Sequence, residues 1–168
     1  KILTDLDEAA AYKVAQILKK RDIKAIAVCF INSYVNDRNE QRMKEILQEI
    51  MPEVHISISS QIMPEIFEHE RFSTTMVNAA VSPVVVDYVS RLNQKLIDGG
   101  YKRDLLLLHS GGGVMTPASV KDFAARLAGS GIAAGAIASR FIGNLCGYEN
   151  SIGFDMGGTS TDVSLSFK

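Results

Sequence analysis

The chain has 168 residues, 46% of them hydrophobic and 22% charged, and 18 Lys plus Arg against 19 Asp plus Glu leave a net charge of -1. That balance belongs to an ordinary globular fold with enough apolar material for a core, and it excludes a nucleic-acid backbone or an anionic membrane as the main partner. Cys29 and Cys146 stand in unrelated contexts without metal-ligand spacing, which excludes a disulfide framework and points to a reducing, cytoplasmic setting.

Asp5 to Lys20 carries Leu6, Ala9, Ala10, Val14, Ile17 and Leu18 at helical spacing, acids first and bases last. The Lys19-Lys20-Arg21 cluster therefore reads as a helix end. Lys24 to Phe30 is a short apolar, β-branched run that predicts a buried strand. Asn36 or Asp37 can cap a helix from Arg38 to Met51, with Pro52 just beyond it. Val54 to Ser60 alternates, placing Ile56 and Ile58 on one face of a half-exposed strand. Helix, strand, helix, strand in this order predicts an α/β layer with a largely parallel sheet.

Pro64-Glu65 opens a long helical stretch, which Pro83 should kink or split between Ala80 and Val84, and Gly99-Gly100 ends it. Leu105 to Leu108 predicts another buried strand running into Ser110-Gly111-Gly112-Gly113, and Thr116-Pro117 starts a short helix. Leu127 to Cys146 is rich in Ala and Gly, the composition of a helix packed closely at the centre of a molecule. Ile152-Gly153-Phe154 reads as a strand, Asp155 to Thr161 as a glycine-bearing turn, and Asp162 to Phe167 as the return strand. Lys1-Ile2-Leu3 opens without methionine and Ser164 to Lys168 stops inside a strand pattern, so the chain reads as a piece truncated at both ends.

The chemistry is concentrated in Asp155-Met156-Gly157-Gly158-Thr159-Ser160-Thr161-Asp162. Gly157 and Gly158 allow positive φ and close approach of a bulky group, and turn N–H groups suit phosphate oxygens. Hydroxyls of Thr159, Ser160 and Thr161 can add donors. Asp155, at the strand end, is placed to hold Mg²⁺ through water. Asp162 either orients water or metal from the far strand or satisfies turn N–H groups as a strand-end aspartate. The plain alternative for the whole octapeptide is a hairpin turn that binds nothing.

Outside it, Arg71 near Glu68 and Glu70 reads as a structural or interlobe ion pair and Asn78 as a buried anchor. His55, His69 and His109 have no ligand spacing, although His109 adjoins a glycine turn. Ser110 lacks the Gly-x-Ser-x-Gly elbow of a nucleophile.

Ile152 to Val163 resembles the second phosphate hairpin of the hydantoinase A/5-oxoprolinase family. Ser130-Gly131-Ile132-Ala133-Ala134-Gly135-Ala136 is similar to that family's Ser-Gly-Pro-Ala-Ala-Gly segment, and Phe67 to Ala79 to its Glu-Tyr-Glu-Arg-x-x-Thr-Thr-x-x-Asn-Ala segment. Leu108 to Val114 resembles its Ser-Asn-Gly-Gly turn, and Ala27 through Glu40 its apolar strand followed by Ser-Tyr-x-Asn-x-x-x-Glu. Ile132 replaces the usual proline and Gly111 the usual asparagine, which leaves the fold intact and the substrate open.

The resemblance implies an α/β actin-like ATPase (ribonuclease H-like) fold with a mixed sheet and flanking helices. It implies a division at 128/129: residues 1–128 would end the first half of a parent enzyme, and residues 129–168 would supply a connecting helix and a second phosphate hairpin. ATP and Mg²⁺ are the implied cofactors, with Asp155 and Asp162 catalytic, Asp155 the metal residue, and Gly157, Gly158, Thr159, Ser160 and Thr161 cofactor-binding. The implied activity is ATP-driven opening of a cyclic amide, a hydantoin or lactam, with a possible second subunit. A ketone carboxylase subunit and a chaperone- or activator-type ATPase are the alternatives. The isolated stretch lacks the opposite hairpin and is expected to be inactive.

Overall fold

A computed structural model describes residues 4–167. The elements are α1 (Glu8–Lys19), β1 (Ala25–Val28), α2 (Arg38–Ile50), β2 (His55–Ile58), α3 (Ser59–Ile62), α4 (Glu68–Asp98), β3 (Leu107–Leu108), β4 (Val114–Met115), α5 (Pro117–Phe123), α6 (Ser130–Leu145), β5 (Ser151–Met156) and β6 (Thr161–Ser166). They form two compact units, residues 1–100 with 118–125 and residues 101–117 with 126–168.

In the first unit β1 and β2 pair in parallel, from Ala25 opposite His55 to Val28 opposite Ile58, as the helix–strand alternation predicts. Asp7 caps α1 by accepting the Ala10 N–H at 3.0 Å. The apolar faces of α1 and α2 close over the strands: Ala15, Ile46, Leu47 and Ile58 are fully buried, with Val28, Met43 and Ile50 around them. β2 is shorter than its alternating pattern suggests, because the chain enters α3 at Ser59.

Beneath α4 the core is polar. Arg71, Thr75, Asn78 and Ser82 recur at helical spacing on one face and are all buried. Arg71 Nη1 donates to Ser33 Oγ and, at 3.3 Å, to Ser59 Oγ; Ser59 Oγ in turn donates to Glu40 Oε1 at 2.6 Å. Glu40, fully buried, also accepts the N–H groups of Phe30 at 2.7 Å and Ser60 at 2.8 Å. A buried cation and a buried anion are thus joined through serine hydroxyls, although Arg71 Nε and Nη2 are buried without a hydrogen bond. The rings of Tyr34 and Phe72 lie 5.5 Å and 5.1 Å from the Arg71 guanidinium, and Glu68 pairs with it at 3.8 Å. Asn78 is the anchor its position suggests: Nδ2 donates to Ser57 Oγ and to the Asp122 carbonyl, and Oδ1 accepts the Ala125 N–H, each at 2.9 Å.

Pro83 does not split the long helix. α4 is one run of 31 residues with the proline inside it. A mid-helix proline costs about 3 kcal/mol in isolation, and the packing of α4 on β1 and β2, with the Asn78 bonds to Ser57, Asp122 and Ala125, offsets that cost.

In the second unit β3 and β4 form a two-residue antiparallel ladder, so the buried strand expected over Leu105 to Leu108 is a short, half-buried one. α5, which belongs to the first unit from Ala118 onward, begins at Pro117 as predicted. β5 and β6 form an antiparallel hairpin from Ser151 opposite Ser166 to Met156 opposite Thr161. The Ala- and Gly-rich segment is the helix α6, but none of its residues is buried, against the expectation of a central helix. Among the described residues, no helix is long and apolar enough to cross a membrane.

Candidate functional site

The octapeptide forms the tip of the β5–β6 hairpin. β5 carries Asp155 and Met156, the turn is Gly157 to Ser160, and β6 begins at Thr161. The turn is closed by its own backbone, Gly157 N–H donating to the Ser160 carbonyl at 3.0 Å. Neither Gly157 nor Gly158 has positive φ, so the conformational reason for two glycines is not the one at work. The spatial reason stands: a Cβ on Gly158 would meet nothing within 4 Å, and one on Gly157 only the Ser160 carbonyl at 3.8 Å. The turn therefore presents bare backbone to open space, flanked by the exposed Thr159, Ser160 and Thr161.

Asp155 and Asp162 are direct cross-strand partners. Like charges opposite one another disfavour an antiparallel pair, a cost that a cation between them removes. Both carboxylates line a cavity of about 20 Å³ with Ser139 and Ser164. Among the described residues no three His, Cys, Asp or Glu side chains come together as a ligand set. Two carboxylates with the other positions left to water and phosphate oxygens match the way Mg²⁺ binds, and in this sense the residues fit the ion.

The hairpin is held in place by α6 through a seam that the sequence reading passed over. Gly135, Ser139 and Gly143, four residues apart, face Asp155, Gly153 and Ser151, two residues apart. Four helical residues advance about 6 Å and two strand residues about 6.6 Å, so the two rows stay in step. A Cβ on Gly135 would stand 3.3 Å from Asp155 Oδ2, and one on Gly143 3.1 Å from Ser151 Oγ. One on Gly153 would collide with the hydroxyls of both Ser139 and Ser164. The small residues of α6 thus serve close approach to this hairpin. The signal was legible as a period of four in α6 against a period of two in β5.

The second glycine turn is structural in its local contacts. His109 Nδ1 accepts the Gly111 N–H at 3.0 Å, and the ring lies where a Cβ on Gly113 would be, 2.7 Å from Nε2. Gly112 has φ +80°, which a side chain would strain. Ser110 Oγ donates to the Arg126 carbonyl at 2.7 Å and accepts the Gly129 N–H at 2.9 Å, so it ties the turn to the start of α6 rather than acting as a nucleophile.

Comparison with known proteins decides the family. The hydantoinase/oxoprolinase family matches residues 71–167, and its N-terminal region matches residues 1–51. The chain belongs to this family. It is 32% identical over 161 residues to the caprolactamase subunit alpha of Pseudomonas jessenii, covering 96% of this chain and 23% of that protein. It is 36% identical over 157 residues to the 5-oxoprolinase of Dictyostelium discoideum, covering 86% of this chain and 12% of that protein. A nucleotide-free structure of acetone carboxylase, from a study of ATP-dependent acetone carboxylation, superposes with a TM-score of 0.84 at 29% identity, over 96% of this chain and 23% of that one. The fold is accordingly of the actin-like ATPase type, and the chain is a fragment spanning about a quarter or an eighth of these relatives.

Proposed function

We propose that the full-length hydantoinase/oxoprolinase protein uses ATP to activate the carbonyl of a cyclic amide for ring opening. The observation that carries this reading is the pairing of Asp155 with Asp162 beside a glycine turn whose backbone faces open space. In this reading Gly157, Gly158, Thr159, Ser160 and Thr161 orient phosphate oxygens with N–H and hydroxyl donors. Asp155 is the metal residue and Asp162 steadies the same ion or a water from the opposite strand. ATP would supply the phosphoryl group that, on the amide oxygen, makes the carbonyl carbon a better electrophile, so that water could add, the ring C–N bond break with the nitrogen taking a proton, and phosphate be released on hydrolysis. The hairpin's share is positioning and charge stabilisation, the terms that dominate phosphoryl transfer.

The named relatives support cyclic amides as the substrate class, since caprolactamase and 5-oxoprolinase are among them. Residues 1–128 and 129–168 are read as parts of two successive halves of the enzyme. Coverage of 23% in a protein named as a subunit against 12% in a 5-oxoprolinase supports a second subunit or a fused equivalent. Two free cysteines support a reducing, cytoplasmic setting. Ketone carboxylation is the second reading, favoured by the acetone carboxylase superposition.

The test is ATP hydrolysis by the full-length protein, with its neighbouring subunit where one exists, in the presence of 5-oxoproline, hydantoin, caprolactam or acetone with bicarbonate. Stimulation by a cyclic amide with release of the ring-opened acid is expected, and Asp155→Asn should abolish it. Turnover that requires acetone and bicarbonate would replace this reading with the carboxylase one. Hydrolysis indifferent to every small substrate would point instead to a chaperone- or activator-type ATPase.

A further inference from the structure

Among the described residues three buried side-chain atoms make no hydrogen bond: Arg71 Nε, Arg71 Nη2 and Ser60 Oγ. All three belong to the polar network beneath α4. The N–H groups of Nε and Nη2 point the same way from one edge of the planar guanidinium, the fork that matches the two oxygens of a carboxylate. The remaining nitrogen, Nη1, is taken by the hydroxyls of Ser33 and Ser59. The rings of Tyr34 and Phe72 stand beside the guanidinium at 5.5 Å and 5.1 Å. The group is therefore fixed on one side and offers a free fork on the other.

β1 and β2 run parallel, with Val28 opposite Ile58, so both strands end at the same edge of the sheet. Ser59 follows β2 directly and Ser33 lies in the connection after β1. Ligands of α/β sheets gather beyond such carboxyl ends. Glu68 marks the way in. Its carboxylate stands 3.8 Å from Nη2, too far for a hydrogen bond, and 45% of its side chain is exposed. A fully buried fork is thus covered by a group half in water, which can swing into solvent at little cost. Charge selects among anions. Glu40 is buried in the same network, accepting from Phe30, Ser59 and Ser60. A phosphate dianion would add charge beside it. A carboxylate that takes the place of Glu68 leaves the local charge unchanged and gains two charge-assisted hydrogen bonds.

We propose that Arg71 anchors a carboxylate-binding site in the first unit, and that its ligand is an organic monoacid whose carboxylate displaces Glu68 from the fork. The proposal rests on the geometry around Arg71 and is independent of the cyclic-amide reading of the hairpin.

The experiment follows thermal unfolding of the full-length protein, without nucleotide, in titrations with acetate, 5-oxoproline, chloride and 2-pyrrolidone. The two carboxylates should raise the unfolding midpoint, and chloride and the uncharged lactam should not. Glu68→Gln removes the competing carboxylate while keeping its shape, and should tighten both acids about tenfold. Arg71→Lys keeps the charge but loses the fork, and should weaken them by at least about as much. No response to either acid in the native protein and in Glu68→Gln would overturn the proposal. So would an equal response to 2-pyrrolidone, or an affinity that Glu68→Gln leaves unaltered, since a merely structural ion pair does not compete with a ligand. Should Arg71→Lys fail to fold, the Glu68→Gln comparison decides alone. None of these readouts uses ATP turnover, so their failure leaves the catalytic reading untouched.

Discussion

Residues 1–100 with 118–125 bury two full charges, whereas residues 101–117 with 126–168 bury almost nothing of their longest helix. In the first unit Arg71 and Glu40 are surrounded by serine hydroxyls and backbone N–H groups, and apolar side chains of α1, α2, β1 and β2 close the core. In the second unit α6 meets the β5–β6 hairpin along one close seam, and that seam holds glycine, serine and aspartate. The first unit is organised around a buried polar network that pairs Glu40 fully and Arg71 in part, since Arg71 Nε and Nη2 and Ser60 Oγ are buried without a hydrogen bond. The second is organised around an open polar turn and keeps its apolar surface outward. The difference separates a part of the chain closed over its own core from a part whose polar turn and apolar strand residues stay exposed.

The largest effect should come from breaking the first unit's polar core. Glu40→Ala removes the acceptor for three donors and leaves the Arg71 charge without its counterpart, and a loss of about 3 kcal/mol is expected in denaturant unfolding. A change confined to a few tenths would show that the network is dispensable.

A comparable loss, read as activity, should follow at the hairpin tip. Gly158→Val places a branched side chain in the space left for a phosphate, and ATP turnover should fall by on the order of a hundredfold with an unchanged unfolding midpoint. Near-normal turnover in the folded variant would reduce the turn to a connector.

Next, Gly153→Ala tests the seam. Its methyl group must displace the Ser139 and Ser164 hydroxyls, at a cost of about 1–3 kcal/mol. The double variant with Ser139→Gly should recover part of the stability, which calorimetric melting would reveal.

The contrast also predicts what these residues do alone. Binding of MgATP to the 168-residue chain should be millimolar or weaker, about 4 kcal/mol at best, because a single hairpin leaves the phosphates largely in water. Micromolar affinity by titration calorimetry would mean that the site is complete within this stretch.

The smallest effect concerns pH. The Arg42 side chain hydrogen-bonds Glu8 and lowers its carboxyl below the ordinary carboxylate value, against a smaller opposing effect of burial. A depressed folded value makes this stabilisation present above the unfolded value and lost as pH falls through the folded one. Arg42→Ala should therefore cost a little at neutral pH, and its deficit should shrink on acidification, as unfolding curves at several pH values can show.

What the sequence determined by itself was local. The parallel β1–β2 pair, the start of α5 at Pro117 and the hairpin with Asp155 and Asp162 at its tip all follow from periodicity and from residues with strong conformational preferences. The octapeptide could be read because its spacing is a property of neighbours along the chain. Tertiary structure decided the rest. It carried α4 through Pro83, since anchoring on two strands outweighs one lost hydrogen bond. It joined Glu40 to Arg71 across 31 positions of sequence through a hydroxyl that no pattern marks. It also turned Gly135 and Gly143 of α6 toward β5, and left Gly158 in open space without positive φ. Those outcomes depend on which surfaces meet, and surfaces meet through contacts between residues far apart in the chain.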